Sequence, residues 1–409
     1  MLGSPSPRGR GKWIAAGVLG LIGQPGLTQP PAAEDVHERF RRMSREAEQR
    51  GLAEPFRGVT ADGQVVPGLF AVRSTGVSTE PVRLAAAAFL AALTAEQRAR
   101  TAFSVDDDEW RKWMNQHFYV RQGTAFKDMT DAQKDAALAL LRAGLSARGL
   151  ALTRDIMRLN TTLAEINGGN FAEYGEGLYS ITVMGAPFPQ EPWGFQLDGH
   201  HLIVNYFVLG DQVVMTPSFF GSEPAVAHAG RYKGTAVLQE EQRMGLDLLR
   251  ALDDAQRRKA VLEAVKTGNN NRTEAFRDNA VVPHAGLRAS EMTDAQKARL
   301  LALVERYVGN MDDGHARLKM DEVRSHLADT YFAWVGGAAD DSVFYYRIQS
   351  PVILIEFDHQ LPVGMRRVAA NPKLPDREHV HSVVRTPNGN DYGKDLLRQH
   401  YQQHPHPHQ

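Results

Sequence analysis

Helical periodicity and strand-like runs alternate along the chain. Apolar residues recur on one helix face in two segments: Leu138, Leu140, Leu141 and Leu145, then Leu300, Leu301, Leu303 and Val304. Residues 202–209 and 352–357 form nearly continuous apolar runs, which are typical of strands buried on both faces. Because runs of helices precede runs of strands, the pattern predicts an α+β fold in which antiparallel strands are covered by helices.

One helix-start signal occurs four times. A threonine or aspartate is followed three residues later by glutamine, and each side chain can bond the backbone amide of the other residue, an arrangement called a capping box. The four boxes begin at Thr94, Thr130, Asp253 and Thr293. They predict four helices, arranged as two pairs at similar spacing.

The strand-rich parts of the chain can be aligned with each other at a nearly constant offset, which places Gly185 on Gly337 and Asn205 on Glu356. Together with the paired capping boxes, this alignment predicts two pseudo-repeated units. The chain then divides into a leader, an N-terminal helical segment, two α+β units and a disordered His/Pro tail: 1–33, 34–82, 83–240, 241–398 and 399–409.

Each unit is expected to contain a β-hairpin. Asp198-Gly199 and Gln349-Ser350 are the predicted hairpin turns, since aspartate and glycine tolerate the positive φ of a two-residue turn. Gly210-Asp211 is the predicted turn into a further strand at 212–215.

Composition excludes several classes of protein. The 409 residues include 47 lysines and arginines against 48 aspartates and glutamates, so no basic excess favours nucleic acid as a partner. The chain has no cysteine, which excludes disulfides, thiolate nucleophiles and cysteine-ligated metals. Any metal would be held by histidine or carboxylate.

The N-terminus has the pattern of an export signal. Arg8, Arg10 and Lys12 precede a short apolar run, 13–23, which is too short to span a bilayer in the mature protein. We expect an exported protein, periplasmic or secreted; the alternative is a cytoplasmic protein with a disordered leader.

Two carboxylates interrupt the second apolar run. Glu356 and Asp358 share one strand face, and a carboxylate in an apolar strand is costly unless it is paired or bound to a cation. We assign both as candidate catalytic residues, Glu356 foremost. The alternative is a structural ion pair of Glu356 with Arg347 on the neighbouring strand.

Four histidines are candidate metal ligands. His379 and His381 alternate along a predicted strand and therefore share a face, and His200 and His201 follow the predicted first turn. Imidazole and carboxylate are ligands for zinc, iron, manganese or copper. We expect at least three of these histidines and carboxylates to converge on one divalent ion.

Candidate substrate-binding residues surround these positions. Arg385 could clamp a carboxylate or phosphate, and the loop that follows it could contact substrate. The full set is Trp193, Asn205, Arg385, Asn390 and Asp391. The alternative for the loop is a plain turn, since proline, asparagine and glycine are turn residues.

Several of these segments resemble a known family. The run Trp-Gly-Phe-Gln-Leu-Asp-Gly-His-His at 193–201, Ile-Glu-Phe-Asp at 355–358, His-Val-His at 379–381 and Asn-Asp-Tyr-Gly at 390–393 are similar to the domain-of-unknown-function family numbered 3500. The resemblance covers about residues 35–400. It implies an exported protein and no particular activity.

The favoured function is that of a metal-dependent hydrolase acting on a small-molecule or oligomeric substrate, with a bound divalent ion lowering the pKa of water. Two alternatives stay open: a metal-dependent oxidoreductase, and a non-catalytic carbohydrate- or peptide-binding protein. In the last of these, aromatic residues would line a cleft: Trp193, Tyr206, Trp334 and Tyr346.

Overall fold

The computed structural model describes residues 35–404. The leader predicted at 1–33 and the last five residues of the predicted tail lie outside this range. Ten α-helices fall within it: α1 Val36–Gly51, α2 Glu80–Ala92, α3 Ala95–Thr101, α4 Asp131–Gly144, α5 Ala147–Ile166, α6 Gln239–Arg250, α7 Asp254–Ala260, α8 Asp294–Val308, α9 Asp313–Ser325 and α10 Lys394–Gln403.

All four predicted capping boxes are formed, and they start α3, α4, α7 and α8. The glutamines of each pair also bond to each other. The side-chain nitrogen of Gln133 lies 2.7 Å from Oε1 of Gln97, and that of Gln296 lies 2.7 Å from Oε1 of Gln256. The same residue that caps its own helix therefore ties two helices together.

Thirteen strands of the described chain form one sheet: β1 Ala102–Phe103, β2 Thr124–Ala125, β3 Ser180–Met184, β4 Trp193–Gly199, β5 Leu202–Leu209, β6 Gln212–Val214, β7 Ser218–Ser222, β8 Val261–Glu263, β9 Leu287–Arg288, β10 Tyr331–Gly336, β11 Phe344–Gln349, β12 Leu354–His359 and β13 Val380–Arg385. The order is β1-β3-β4-β5-β7-β13-β12-β11-β10-β8, with β2 on β3, β6 on β5 and β9 on β10. Only the β1–β3 and β8–β10 pairs are parallel. The prediction of helices with a mostly antiparallel sheet is confirmed.

The two faces of the sheet are covered differently. Helices such as α4 and α8 pack on one face, where they contribute Leu140 and Leu303 to the main hydrophobic core, whereas α10 packs on the other face. Irregular segments 104–123 and 264–286 cover the other, with Trp110 and Trp113 packed against Phe207 and Phe219. We call these the helix face and the loop face.

Polar side chains of the central strands point to the loop face and bond the backbone of the covering segments. The carbonyls of Trp110, Val282, Pro283 and Thr273 accept from strand side chains, and four amides at 270–273 donate to strand carboxylates. The strand residues are Gln196, Arg347, Gln349, Glu356, Asp358 and Arg385. The peptide groups of a buried irregular segment have no helix or strand hydrogen bonds. The side chains of the strands therefore act as their hydrogen-bond partners.

Both hairpin turns lie further along the chain than predicted. Gly199 pairs with Leu202, so His200 and His201 form the first turn, and Gln349 pairs with Leu354. Asp198 stays in the strand, where its carboxylate accepts from Arg121 at 3.0 Å. Gly199 is needed for space, because a Cβ there would lie 2.0 Å from the ring of Tyr179. The Gly210-Asp211 turn is confirmed by the pairing of β5 with β6.

The C-terminal helix runs through the boundary that the sequence placed at residue 399. Helix α10 ends at Gln403, and Leu396 and Leu397 anchor it in the loop-face core. Residues 399–403 are therefore helical rather than disordered. Across residues 35–404, no helix combines the length and apolar character that a membrane span needs.

Candidate metal centre

Three histidines that are far apart in sequence meet on the loop face. Nε2 of His379 lies 3.1 Å from Nε2 of His201 and 3.0 Å from Nε2 of His381. All three residues are buried: the solvent-exposed fraction is 5% for His201, 4% for His379 and 6% for His381. They are a group whose ligand atoms all lie within 4.8 Å of one another, as one metal ion requires. A buried three-histidine cluster that could hold a metal is therefore present.

Local backbone geometry aims each ring at the common point. His201 is the second residue of the β4–β5 turn and adopts φ 61°, with its amide bonded to the carbonyl of Asn115. Its own carbonyl accepts from Gly221 on β7 at 2.8 Å. His379 immediately precedes β13 and His381 is its second residue, and the two lie on one face as predicted, because alternate residues of an extended chain point the same way.

Hydrogen bonds on the outer side of two rings fix their tautomers. Nδ1 of His379 lies 2.7 Å from the carbonyl oxygen of Leu361, and Nδ1 of His381 lies 2.7 Å from Oε1 of Glu274. A carbonyl can only accept, and a carboxylate accepts in the same way, so both Nδ1 atoms carry the proton. Each Nε2 therefore presents a lone pair to the centre of the cluster. Metal-binding histidines show this arrangement.

Burial favours the neutral form of two of these imidazoles. It lowers the pKa of His201 and of His381 well below 6.5, and the neighbouring imidazoles add to the effect by mutual repulsion of their charged forms. Two lone pairs 3.0 Å apart repel each other unless a cation lies between them. Nitrogen ligands of one zinc ion, each at about 2.0–2.1 Å, lie about 3 Å apart, so the donor set fits such an ion.

His200, the fourth predicted ligand, faces away from the cluster. Its Nδ1 lies 2.8 Å from Oδ1 of Asn160, and its ring stacks on His201 at 4.0 Å between centroids. His117 and Tyr174 then contact the ring of His200. His200 thus supports the orientation of His201 instead of contributing a nitrogen to the shared point.

Glu356 and Asp358 lie on β12 and bond the covering loop, and neither belongs to the cluster of ligand atoms formed by the three histidines. Glu356 accepts from the amides of Arg272 and Thr273 and from the hydroxyls of Thr273 and Tyr345. The alternative pairing with Arg347 is not formed. Asp358 accepts from two further loop amides and pairs with Lys266 at 2.6 Å, while burial raises its pKa to about 7.

These carboxylates nevertheless affect the cluster through Glu274. The segment that they hold, 270–273, leads directly to Glu274, whose carboxylate bonds His381. Glu274 keeps 27% of its side chain exposed, so solvent reaches this edge of the site. Sequence reasoning missed Glu274, because it lies in an irregular loop with no periodicity to indicate its direction.

Glu223 is a second residue that the sequence did not indicate. Its carboxylate is buried beside His379, 3.8 Å from Nδ1, and accepts from the amides of residues 363–365. This carboxylate holds the loop that supplies the carbonyl of Leu361, in the same way that Glu356 holds the loop that supplies Glu274.

The predicted substrate residues are buried and bonded within the protein. Arg385 contacts Asp278 at 2.9 Å and Asp391 at 3.3 Å, and its guanidinium lies over the ring of Trp113. Burial raises the pKa of Asp391 to about 6 against the opposing effect of Arg385. The side chain of Asn205 accepts a hydrogen bond from Gln196 of β4 and donates one to the carbonyl of Pro217.

Trp193 and Asn390 lie away from the three histidines. Trp193 is buried in the helix-face core with the other three aromatic residues that were considered for a cleft: Tyr206, Trp334 and Tyr346. Asn390 lines a separate cavity on the helix face.

The fold and the site define a mixed α/β protein with one large sheet and a buried three-histidine cluster. The family model described as "Protein of unknown function (DUF3500)" matches residues 75–394, and the chain belongs to this family. The match includes all three histidines and Glu274. No curated protein and no solved structure matches the chain.

Proposed function

We propose that the protein is a metalloenzyme in which His201, His379 and His381 hold one divalent transition metal through their Nε2 atoms. The observation that carries the proposal is the pair of outward Nδ1 bonds, to Leu361 and Glu274, which leaves lone pairs directed at a common point. A buried donor set of this kind has no simple structural purpose, since unpaired acceptors facing each other destabilise a fold.

Metal-assisted hydrolysis is the reaction that this set favours. Three histidines leave a coordination position for water, and a bound divalent ion lowers the pKa of that water toward neutrality. The chain contributes orientation and access. Glu274 holds His381 in one tautomer and can strengthen its donor character, and the partial exposure of Glu274 provides an edge where solvent and substrate can enter.

Elemental analysis of protein purified without a polyhistidine tag tests the metal. Because the sequence ends in a His/Pro tail, His406 and His408 should first be replaced by alanine so that loosely bound metal is not counted. We expect about one equivalent per chain after dialysis, as a single three-ligand site would give. His381→Ala and His201→Ala should each reduce this at least tenfold.

A matched control is His228→Ala, which removes a histidine whose side chain is 70% exposed and pairs with Glu378. It should keep the full metal content. If His381→Ala keeps its metal while the helical circular dichroism signal is intact, the proposed centre is wrong.

Activity assays distinguish a hydrolase from a binding protein. A hydrolase loaded with metal should hydrolyse model esters or phosphodiesters, and His381→Ala should lose this activity. Iron or copper with a reversible spectral change would favour the oxidoreductase.

We further infer that the sheet contains two pseudo-repeated units, and that within residues 35–404 a three-histidine cluster formed once. Going outward from β7 and β13, the two halves have matching pairing patterns, and a shift of 151 residues relates the pair Gln196–Asn205 to Arg347–Glu356. The same shift places Gly185 on Gly336 rather than on Gly337. It also places His201 on Val352, so the second unit has no histidine at that position.

Export stays a proposal, since the predicted signal lies outside the described residues. Mass spectrometry of the protein from its native host should find a mature N-terminus near residue 30, because the apolar run suits a signal peptide. An intact Met1 in a cytosolic fraction would contradict export.

A further inference from the structure

A second candidate site lies on the helix face, separated from the histidines by the sheet. It is a cavity of about 390 Å³ between α8, α9 and the segment around Phe70, and we call it the helix-face cavity. Its apolar lining includes Phe70, Met215, Met311, Leu318, Ile353 and Val384. A volume of this size suits a small molecule.

The helix-face cavity and the histidine cluster are distinct sites. Ser218 and Val384 pair directly on β7 and β13, three residue pairs from the Gly221–His381 pair. An odd number of pairs places them on opposite faces of the sheet, because side chains alternate. None of the three histidines is among the residues that line the helix-face cavity.

Two largely buried residues that line the helix-face cavity each carry a side-chain donor with no hydrogen-bond acceptor among residues 35–404. Ser218 is 2% exposed and Asn390 is 3% exposed. Oδ1 of Asn390 accepts from the amide of Leu396, but its side-chain nitrogen donates to no atom of residues 35–404, and neither does the hydroxyl of Ser218. Because polar groups of largely buried residues are almost always bonded, the cavity is where these two donors can find an acceptor.

The buried and half-buried cationic side chains of the cavity lining already have partners, whereas Arg73, which also lines it, is exposed. Lys319 donates to Glu322 at 2.7 Å and to the carbonyl of Val352 at 2.8 Å. Both ring nitrogens of His315 are bonded, one to Asp312 and one to the carbonyl of Asp211. Among the buried side chains of the lining, the groups left to recognise a ligand are the amide of Asn390 and the hydroxyl of Ser218.

We propose that the helix-face cavity binds a small, uncharged, mostly apolar molecule whose hydrogen-bond acceptor is held by Asn390 and Ser218. A carbonyl or hydroxyl oxygen on an aromatic or aliphatic body fits this chemistry. The apolar body would replace water against the methionine and phenylalanine side chains, and the oxygen would satisfy both donors at the deep end, beside Thr216 where β6 leads into β7.

The test uses 6-propionyl-2-dimethylaminonaphthalene, an uncharged fluorophore with one ketone, on the full chain. We expect saturable binding of one molecule per chain with blue-shifted emission. Met311→Trp, which fills the cavity, should weaken binding at least tenfold. Val265→Trp adds the same side chain at a site that is 67% exposed and should leave binding unchanged.

A smaller change keeps the test valid if Met311→Trp fails to fold. Ser218→Ala should weaken the ketone probe several-fold and leave the affinity for 2-dimethylaminonaphthalene, which lacks the ketone, unchanged. The proposal is overturned if the wild type shows no saturable binding, if folded Met311→Trp binds as tightly as wild type, or if Ser218→Ala affects both probes equally.

Discussion

Nδ1 of His381 lies 2.7 Å from Oε1 of Glu274, although 107 residues separate the two in sequence. The contact joins a strand at the centre of the sheet to a loop that covers it. Glu356 holds that loop from β12, the neighbour of the His381 strand. A chain of buried contacts therefore sets the orientation of one imidazole, which is what a metal ligand needs.

Removal of the Glu274 carboxylate should weaken metal binding. Glu274→Ala is expected to lower metal affinity about 10–100-fold, the usual effect of losing a carboxylate that orients a bound histidine. Glu274→Gln keeps an acceptor oxygen, so its metal affinity should fall less than that of Glu274→Ala. Competition with a fluorescent chelator measures both. Glu240→Ala removes an exposed carboxylate of α6 and serves as the control; wild-type affinity in Glu274→Ala would refute the role.

Arg385 should stabilise the fold instead of binding substrate. Arg385→Met leaves Asp278 and Asp391 buried without their cation, and breaking such a network destabilises a protein by about 3–5 kcal/mol. Urea unfolding measures the change. Arg398→Met, which removes an exposed partner of Asp395, should cost less than about 1 kcal/mol. If Arg385→Met lowered the free energy of unfolding by as little as Arg398→Met, the structural role of Arg385 would be contradicted.

Glu109 should make stability depend on pH. Burial raises the pKa of its carboxyl from 4.5 to about 7, with Lys112 partly opposing the shift. Between these two values the folded state binds more protons than the unfolded state, so this group makes the fold less stable as pH rises. Glu109→Gln has no titrating group at this position and therefore lacks this pH dependence of stability.

The advantage of Glu109→Gln over wild type in unfolding free energy should therefore grow by about 3 kcal/mol between pH 4 and pH 8. Denaturant unfolding at several pH values measures it. A difference that is constant with pH would show that the folded carboxyl titrates normally. Glu96→Gln, at an exposed position of α3, is the matched control.

The paired glutamines should contribute equally in both halves of the chain. Gln133→Ala and Gln296→Ala each remove a helix cap and an inter-helix bond, and each should destabilise the protein by about 1–2 kcal/mol. Double-mutant cycles with Gln97→Ala and Gln256→Ala should give similar coupling energies. A large coupling in one pair and none in the other would argue against equivalent units.

Local chemistry let the sequence predict several parts of this protein. A capping box depends on residues three positions apart, so all four helix starts could be predicted at Thr94, Thr130, Asp253 and Thr293. The common face of His379 and His381 follows from the two-residue period of a strand in the same way. The apolar runs identified the central strands.

The convergence of the site was decided by the tertiary structure. The meeting of His201 with His379 depends on β7 pairing with β13, and the sequence contains no local signal of that register. The sequence marked Glu356 as unusual because a buried carboxylate needs compensation, yet only the covering loop shows that backbone amides provide it. Glu274 has no pattern at all, because its direction depends on a loop that other strands hold in place.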